Sequence, residues 1–134
     1  VRNKKVKTWW GVYTLTIDDQ GFGVLNEEAE AVFTRGQCHA LAIAINQLTG
    51  WPIKGVGYKS DSPDSPSHCL NYCPDRKGYV DIKGLHKKPT DNFKVVNRNI
   101  SQETARKYLS GYLEPNVRAA IPFAKTILRD LEAA

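Results

Sequence analysis

At 134 residues the chain can bury a core without disulfide staples or a structural metal. Its apolar fraction of 41% excludes a disordered tail, and no apolar run approaches the roughly 20 residues that cross a bilayer. A net charge of +5 permits a polyanionic partner without demanding one, and three cysteines cannot all pair within the chain. The basic start, Val1 to Trp10, leads into no apolar stretch with a small-residue cleavage site, so it reads as something other than an export signal. Free thiols in a reducing, cytoplasmic compartment are then the expectation, with delivery as an effector left open.

In chain order, Val1 to Lys7 reads as a solvated, partly disordered end. Trp9 to Ile17 alternates at strand spacing, and Asp18-Asp19-Gln20-Gly21 is a turn. Glu27 to Phe33 predicts a short helix with Asn26 as its cap and acids in its first turn. Cys38, Leu41, Ile45 and Leu48 recur at helical spacing, with Gly50 and Pro52 ending that helix. The polar stretch Lys59 to Ser67 carries two prolines and reads as an exposed, mobile loop. Strands are predicted at Ile53 to Tyr58, His68 to Cys73, Tyr79 to Lys83 and Phe93 to Val96, the middle pair joined by a hairpin turn at Pro74 to Gly78. Ser101 caps a helix through Ala105, Tyr108, Leu109 and Tyr112. Pro115 opens another, in which the interior Pro122 should kink or delay the helix. The order is that of a single α+β domain, residues 1–134, with an antiparallel sheet and two C-terminal helices.

Gly36-Gln37-Cys38-His39 delivers a cysteine to the first turn of an apolar helix. The N–H groups there favour thiolate over thiol and can hold a developing oxyanion. On a helix, adjacent side chains diverge by about 100°, so His39 is a poor base for Cys38. His68, opening a strand after the polar loop, is the better base. Asp81, across the hairpin, is the carboxylate that could hold the imidazole in its working tautomer. Each residue also has a bland reading: a small core cysteine, a strand-edge histidine, a turn carboxylate. With the loop at Asp75 to Gly78, Tyr72 pairs with Asp81, and His68 and Asp81 lie about 13 Å apart on one face. A tighter turn at Pro74-Asp75 sets them directly opposite, and a bulge at Gly78 is a third way to narrow the gap.

Gly-Gln-Cys at a helix start, His at a strand start and then Gly-Tyr-Val-Asp resemble the papain-like cysteine enzymes. These include cysteine peptidases, transglutaminase-like proteins and arylamine N-acetyltransferases. The likeness spans about Thr34 to Gly84. The stretch Phe33 to Ala42 also resembles small bacterial and phage proteins with the same Cys, His, Asp order. The resemblance implies a cysteine-bearing helix packed on an antiparallel sheet, with Cys38 as nucleophile, His68 as general base and acid, and Asp81 as orienting group. Papain carries an oxyanion glutamine several residues before its cysteine. Here the oxyanion candidate Gln37 is immediately before.

The expected activity is therefore hydrolysis or transfer of an acyl group from a peptide, protein or small acyl substrate, with no cofactor and no membrane. Cys69 and Cys73 share a strand face, but no second cysteine pair completes a structural zinc site. The rival reading is a basic binding module for nucleic acid or an acidic protein. Arg2, Lys4, Lys5 and Lys7 precede Trp9 and Trp10, a combination suited to single-stranded nucleic acid. Lys83, Lys87 and Lys88 form a second cluster suited to an acidic substrate or partner, or to guarding a sheet edge.

Overall fold

A computed structural model describes residues 1–8, 10–34, 36–57, 68–89, 96–107 and 116–134. The basic start is not a disordered end: Arg2–Thr8 is strand β1, paired antiparallel with β2, Gly11–Ile17, in a register running from Arg2↔Ile17 to Thr8↔Gly11. Lysine alternates there with residues that turn inward. Lys5 and Lys7 stand in solvent while Val6 and Thr8 are buried, so the segment has one apolar face to dock despite its charge. The Thr8 hydroxyl donates to the Gly11 carbonyl and accepts from the Trp10 N–H. Asp18 then accepts from the Gln20 and Phe22 N–H groups, closing the predicted turn. Helix α1, Glu27–Thr34, follows, with the Asn26 side chain accepting from the Ala29 N–H as its cap.

Helix α2, Cys38–Thr49, keeps its first eight residues buried and ends at Gly50, whose φ of 77° is the left-handed conformation a helix stop requires. Strands β3 (Ile53–Gly57), β4 (His68–Cys73), β5 (Gly78–Asp81), β6 (Gly84–His86) and β7 (Val96–Ile100) form one antiparallel sheet in the order β6-β5-β4-β3-β7. Of the strand expected at Phe93 to Val96, residues 93–95 lie outside the described residues and Val96 begins β7. The loop expected at Lys59 to Ser67 lies outside them too. Helix α3, Gln102–Lys107, is capped by Ser101, which accepts from the Thr104 N–H; the expected continuation through Tyr108, Leu109 and Tyr112 is outside the described residues. Helix α4, Val117–Ala133, is capped by Asn116, whose side chain accepts from the Ala119 N–H.

The fold is α+β. The main core joins Val6, Leu15, Phe33, Leu41, Ile45, Val80 and Phe123, and so ties the ribbon, α1, α2, the sheet and α4 together. The interior Pro122 lies inside α4, where its carbonyl accepts the Gly23 N–H. The Thr126 hydroxyl donates back to the Gly23 carbonyl. A Cβ at position 23 would lie 2.4 Å from the Phe123 ring, so glycine is what allows α4 to approach this closely. A second cluster gathers Cys38, Ala42, Ile43, Ile53, Cys69 and Ala105 beneath the start of α2. Among the described residues no helix is long and apolar enough to cross a membrane.

Candidate active site

Three side chains expected to work together come from three elements: Cys38 opens α2, His68 opens β4 and Asp81 ends β5. The buried Asn71 amide fixes helix to sheet by donating to the Ala42 carbonyl at 2.9 Å. That anchor lies one turn along α2 from Cys38 and three residues along β4 from His68. Both of the first two residues of β4, His68 and Cys69, reach the Cys38 thiol, which therefore sits at the strand's end.

The hairpin register decides whether Asp81 takes part. Tyr72 pairs with Tyr79 and Cys73 with Gly78, so the turn is Pro74 to Lys77. This is neither of the two hairpins drawn from sequence but the one between them. Lys77 takes a positive φ of 51°, and Gly78 opens β5 opposite Cys73. Continued by one residue, the register sets Asp81 opposite Leu70 and makes His68 its diagonal neighbour, within side-chain reach. His68 Nε2 lies 3.5 Å from Asp81 Oδ2.

Asp81 has a second imidazole. His86 Nε2 lies 2.9 Å from Oδ1, the same oxygen that accepts the Lys83 N–H at 2.9 Å. The sequence reading missed His86 because β6 is only three residues long, too short to show periodicity. Its signal was the tight turn at Ile82-Lys83 before Gly84, which holds a φ of 100°.

The electrostatics follow from these contacts. The Cys38 thiol is held well below its ordinary range, first by hydrogen bonding from Cys69, against burial, and then by His39 and by the hydrogen bond and charge of His68. Burial works to strip the proton from His68, but the carboxylate of Asp81 and then the hydrogen bond and charge of Cys38 outweigh it, lifting the imidazole to about 10. Burial likewise opposes charge on Asp81, and His68, His86 and the Lys83 N–H together bring it below the usual carboxylate value. These shifts all act in one direction, towards thiolate, imidazolium and carboxylate in sequence. His39, set aside on helical geometry, is wholly buried at the second position of α2.

Gln37 is placed differently. Its side-chain NH₂ donates to the Lys7 carbonyl and its oxygen accepts from the Asn116 N–H, tying β1 to the start of α4. The amide makes no cap on α2. With both ends engaged by backbone, it fastens β1 and α4 to the helix tip. Gly36, with a φ of 129°, supplies the backbone reversal into that tip. Among the described residues no group of three or more His, Cys, Asp or Glu side chains is arranged to hold a metal ion.

Compared with protein-family models, curated protein sequences and solved structures, the chain matches none.

Proposed function

We propose that this protein is a cysteine-dependent enzyme of papain-like arrangement that cleaves or transfers an acyl group. The observation that carries the reading is the line of contacts Cys38–His68–Asp81, assembled from one helix and two strands around a thiol whose proton is destabilised. In this reading the Cys38 thiolate attacks the carbonyl carbon of an amide, ester or thioester, and the oxyanion forms against the N–H groups of the α2 tip. His68, already protonated, gives its proton to the leaving group. It then takes a proton from the water or amine that attacks the acyl-enzyme. Asp81 keeps the ring oriented and its positive charge compensated through both steps.

Alkylation of the full chain with iodoacetamide between pH 5 and 9, read by peptide mapping, tests it. Cys38 is expected to react with a midpoint well below the ordinary thiol value near 8.5, and His68→Ala is expected to move that midpoint up. Equal, slow reaction of all three cysteines overturns the reading. An activated aryl ester should then leave its acyl group on Cys38 and on neither Cys69 nor Cys73.

The ribbon supports a second reading, as a polyanion-binding module. Its outer face presents Lys5, Lys7 and Val12 to solvent, and Trp10 is 72% exposed. Retention on a polyanion column that falls steeply with salt, and drops on replacing Lys5 and Lys7 with glutamine, is its test.

A further inference from the structure

The mechanism uses one thiol, yet a second stands against it. Asn71 and Cys69 lie on the same face of β4, two residues apart, and Asn71 is bonded to the Ala42 carbonyl of α2. Cys38 lies four residues before Ala42, one turn back on the same face of the helix. The same offset on both elements brings the two sulfurs together, and Cys38 and Cys69 pack in one small cluster with Ala42, Ile43 and Ile53. Cys73, two residues beyond Asn71 on that strand face, belongs to the other core cluster. All three cysteines are unpaired.

We propose that Cys38 is a reversible oxidation site for hydroperoxides, with Cys69 as its resolving thiol. The Cys38 thiolate attacks the distal oxygen of the peroxide. The S–O bond forms as the O–O bond breaks, and after protonation the peroxide leaves as an alcohol, or as water from hydrogen peroxide itself. Sulfur is oxidised by two electrons, to a sulfenic acid. Cys69 then attacks that sulfur. The S–S bond forms, the S–O bond breaks, and the hydroxide departs with the Cys69 proton as water.

The two thiols are suited to this order. Cys69 is held protonated by its hydrogen bond to the Cys38 thiolate, by burial and by the charge on Cys38, so it does not compete for the oxidant. Oxidation turns Cys38 neutral and removes that charge, releasing Cys69 for the second step. A bridge would protect the sulfur from irreversible sulfinic acid and, while it lasts, would occupy the nucleophile.

The inference rests on the thiolate character given to Cys38 above, but its readout is mass and needs no acyl activity. The full chain is treated with a modest excess of hydrogen peroxide, quenched, and mapped without reduction. The expected product has lost two hydrogen atoms, carries a Cys38–Cys69 peptide, and returns to the thiol form with dithiothreitol. Cys69→Ala should instead accumulate Cys38 sulfinic acid that dithiothreitol leaves untouched, while Cys73→Ala should bridge as the wild type does. Bridging through Cys73, or over-oxidation of Cys38 in the wild type at the rate seen in Cys69→Ala, overturns the proposal. Should Cys69→Ala not fold, the wild-type and Cys73→Ala maps decide alone. A bridge in a protein without acyl activity sinks the enzymatic reading and leaves this one standing. Acyl activity without a bridge does the reverse.

Discussion

The two ends of α2 are built for opposite purposes. Its C-terminal half is fastened by backbone-directed bonds: Asn46 donates to the Trp51 carbonyl, Thr49 to the Ile45 carbonyl, and Gly50 closes the helix onto the Asn46 carbonyl. Its N-terminal tip has no side-chain cap and faces Cys69, His68 and, behind His68, Asp81 and His86. An end satisfied from within is inert. An end that other elements meet with ionisable side chains can do chemistry, provided that the rest of the helix is held still. Stability and reactivity are therefore expected to separate along this one helix, and substitutions can test how cleanly.

The largest effect is expected from Asp81→Asn. The carboxylate is the first of the groups that keep His68 charged against burial, so its loss should lower turnover by about 10²–10⁴-fold. Thermal unfolding should change far less than the rate, because Asp81 is outside the apolar clusters. A loss of stability in proportion to the loss of rate would mean that Asp81 supports the hairpin and not the chemistry.

Phe123→Ala attacks the main core, which holds α2 still, and leaves the helix tip alone. The ring is fully buried against Phe33, at a centroid distance of 5.3 Å, and in close contact with Gly23. Truncation is expected to cost about 3–5 kcal/mol. It should lower stability equally at every pH and leave the alkylation midpoint of Cys38 in place. The wild-type pH dependence has its own sign. His68, raised from its ordinary value near 6.5 to about 10, would by itself lose its contribution across that span, but the lowered Cys38 has given up a proton and cancels the loss until the unfolded thiol ionises near 8.5. The net decline therefore falls between about 8.5 and about 10. His68→Gln should flatten that alkaline decline, and Phe123→Ala should keep it. Chemical denaturation at a series of pH values distinguishes the two.

How much of this was legible in the sequence depended on the kind of signal each residue carries. The α2 stripe and the placement of Cys38 follow from helical periodicity, and His68 from a strand opening after a polar loop. The distance from His68 to Asp81 did not, because a hairpin register is fixed by which residues the turn consumes. Here the turn consumes Pro74 to Lys77, with Lys77 at a positive φ of 51°, a choice that no hydrophobic pattern in the two strands encodes. β1 was hidden by its lysines, although Val6 and Thr8 carry the alternation. Gln37 read as a site residue because it adjoins Cys38. Its partners, 30 and 79 residues away in the chain, are tertiary facts that no local pattern encodes.

Gln37→Ala sharpens the boundary between the two ends. It removes a bond to the Lys7 carbonyl and one to the Asn116 N–H, and leaves both backbone groups to find other partners. A cost of about 1–3 kcal/mol is expected. If the first-turn N–H groups hold the oxyanion, turnover should fall by much less than in Asp81→Asn once the variant is assayed well below its melting temperature. A kcat loss as large as that of Asp81→Asn, without destabilisation, would return the oxyanion role to the Gln37 side chain.

The smallest effect is expected at His86, and it is the most informative about Asp81. His86 and the Lys83 N–H share Oδ1 while His68 holds Oδ2, so the carboxylate is gripped on both oxygens. The His86 side chain is 39% exposed, and water can replace much of what it gives. In His86→Ala the loss at neutral pH should be no more than roughly fivefold, in keeping with about 1 kcal/mol for a solvent-screened contact. The sign on the pH profile is specific. His86 helps to hold Asp81 below the usual carboxylate value, so its removal lets that carboxyl rise. The stabilisation that Asp81 gives to the charged ring should then be lost at a higher pH as the solution is acidified. The acid limb of the stability profile should move upward while the alkaline limb, set by His68, stays where it is. Movement of both limbs together would place His86 in direct contact with the thiol–imidazole pair. An unmoved acid limb would reduce its bond to Asp81 to a surface contact.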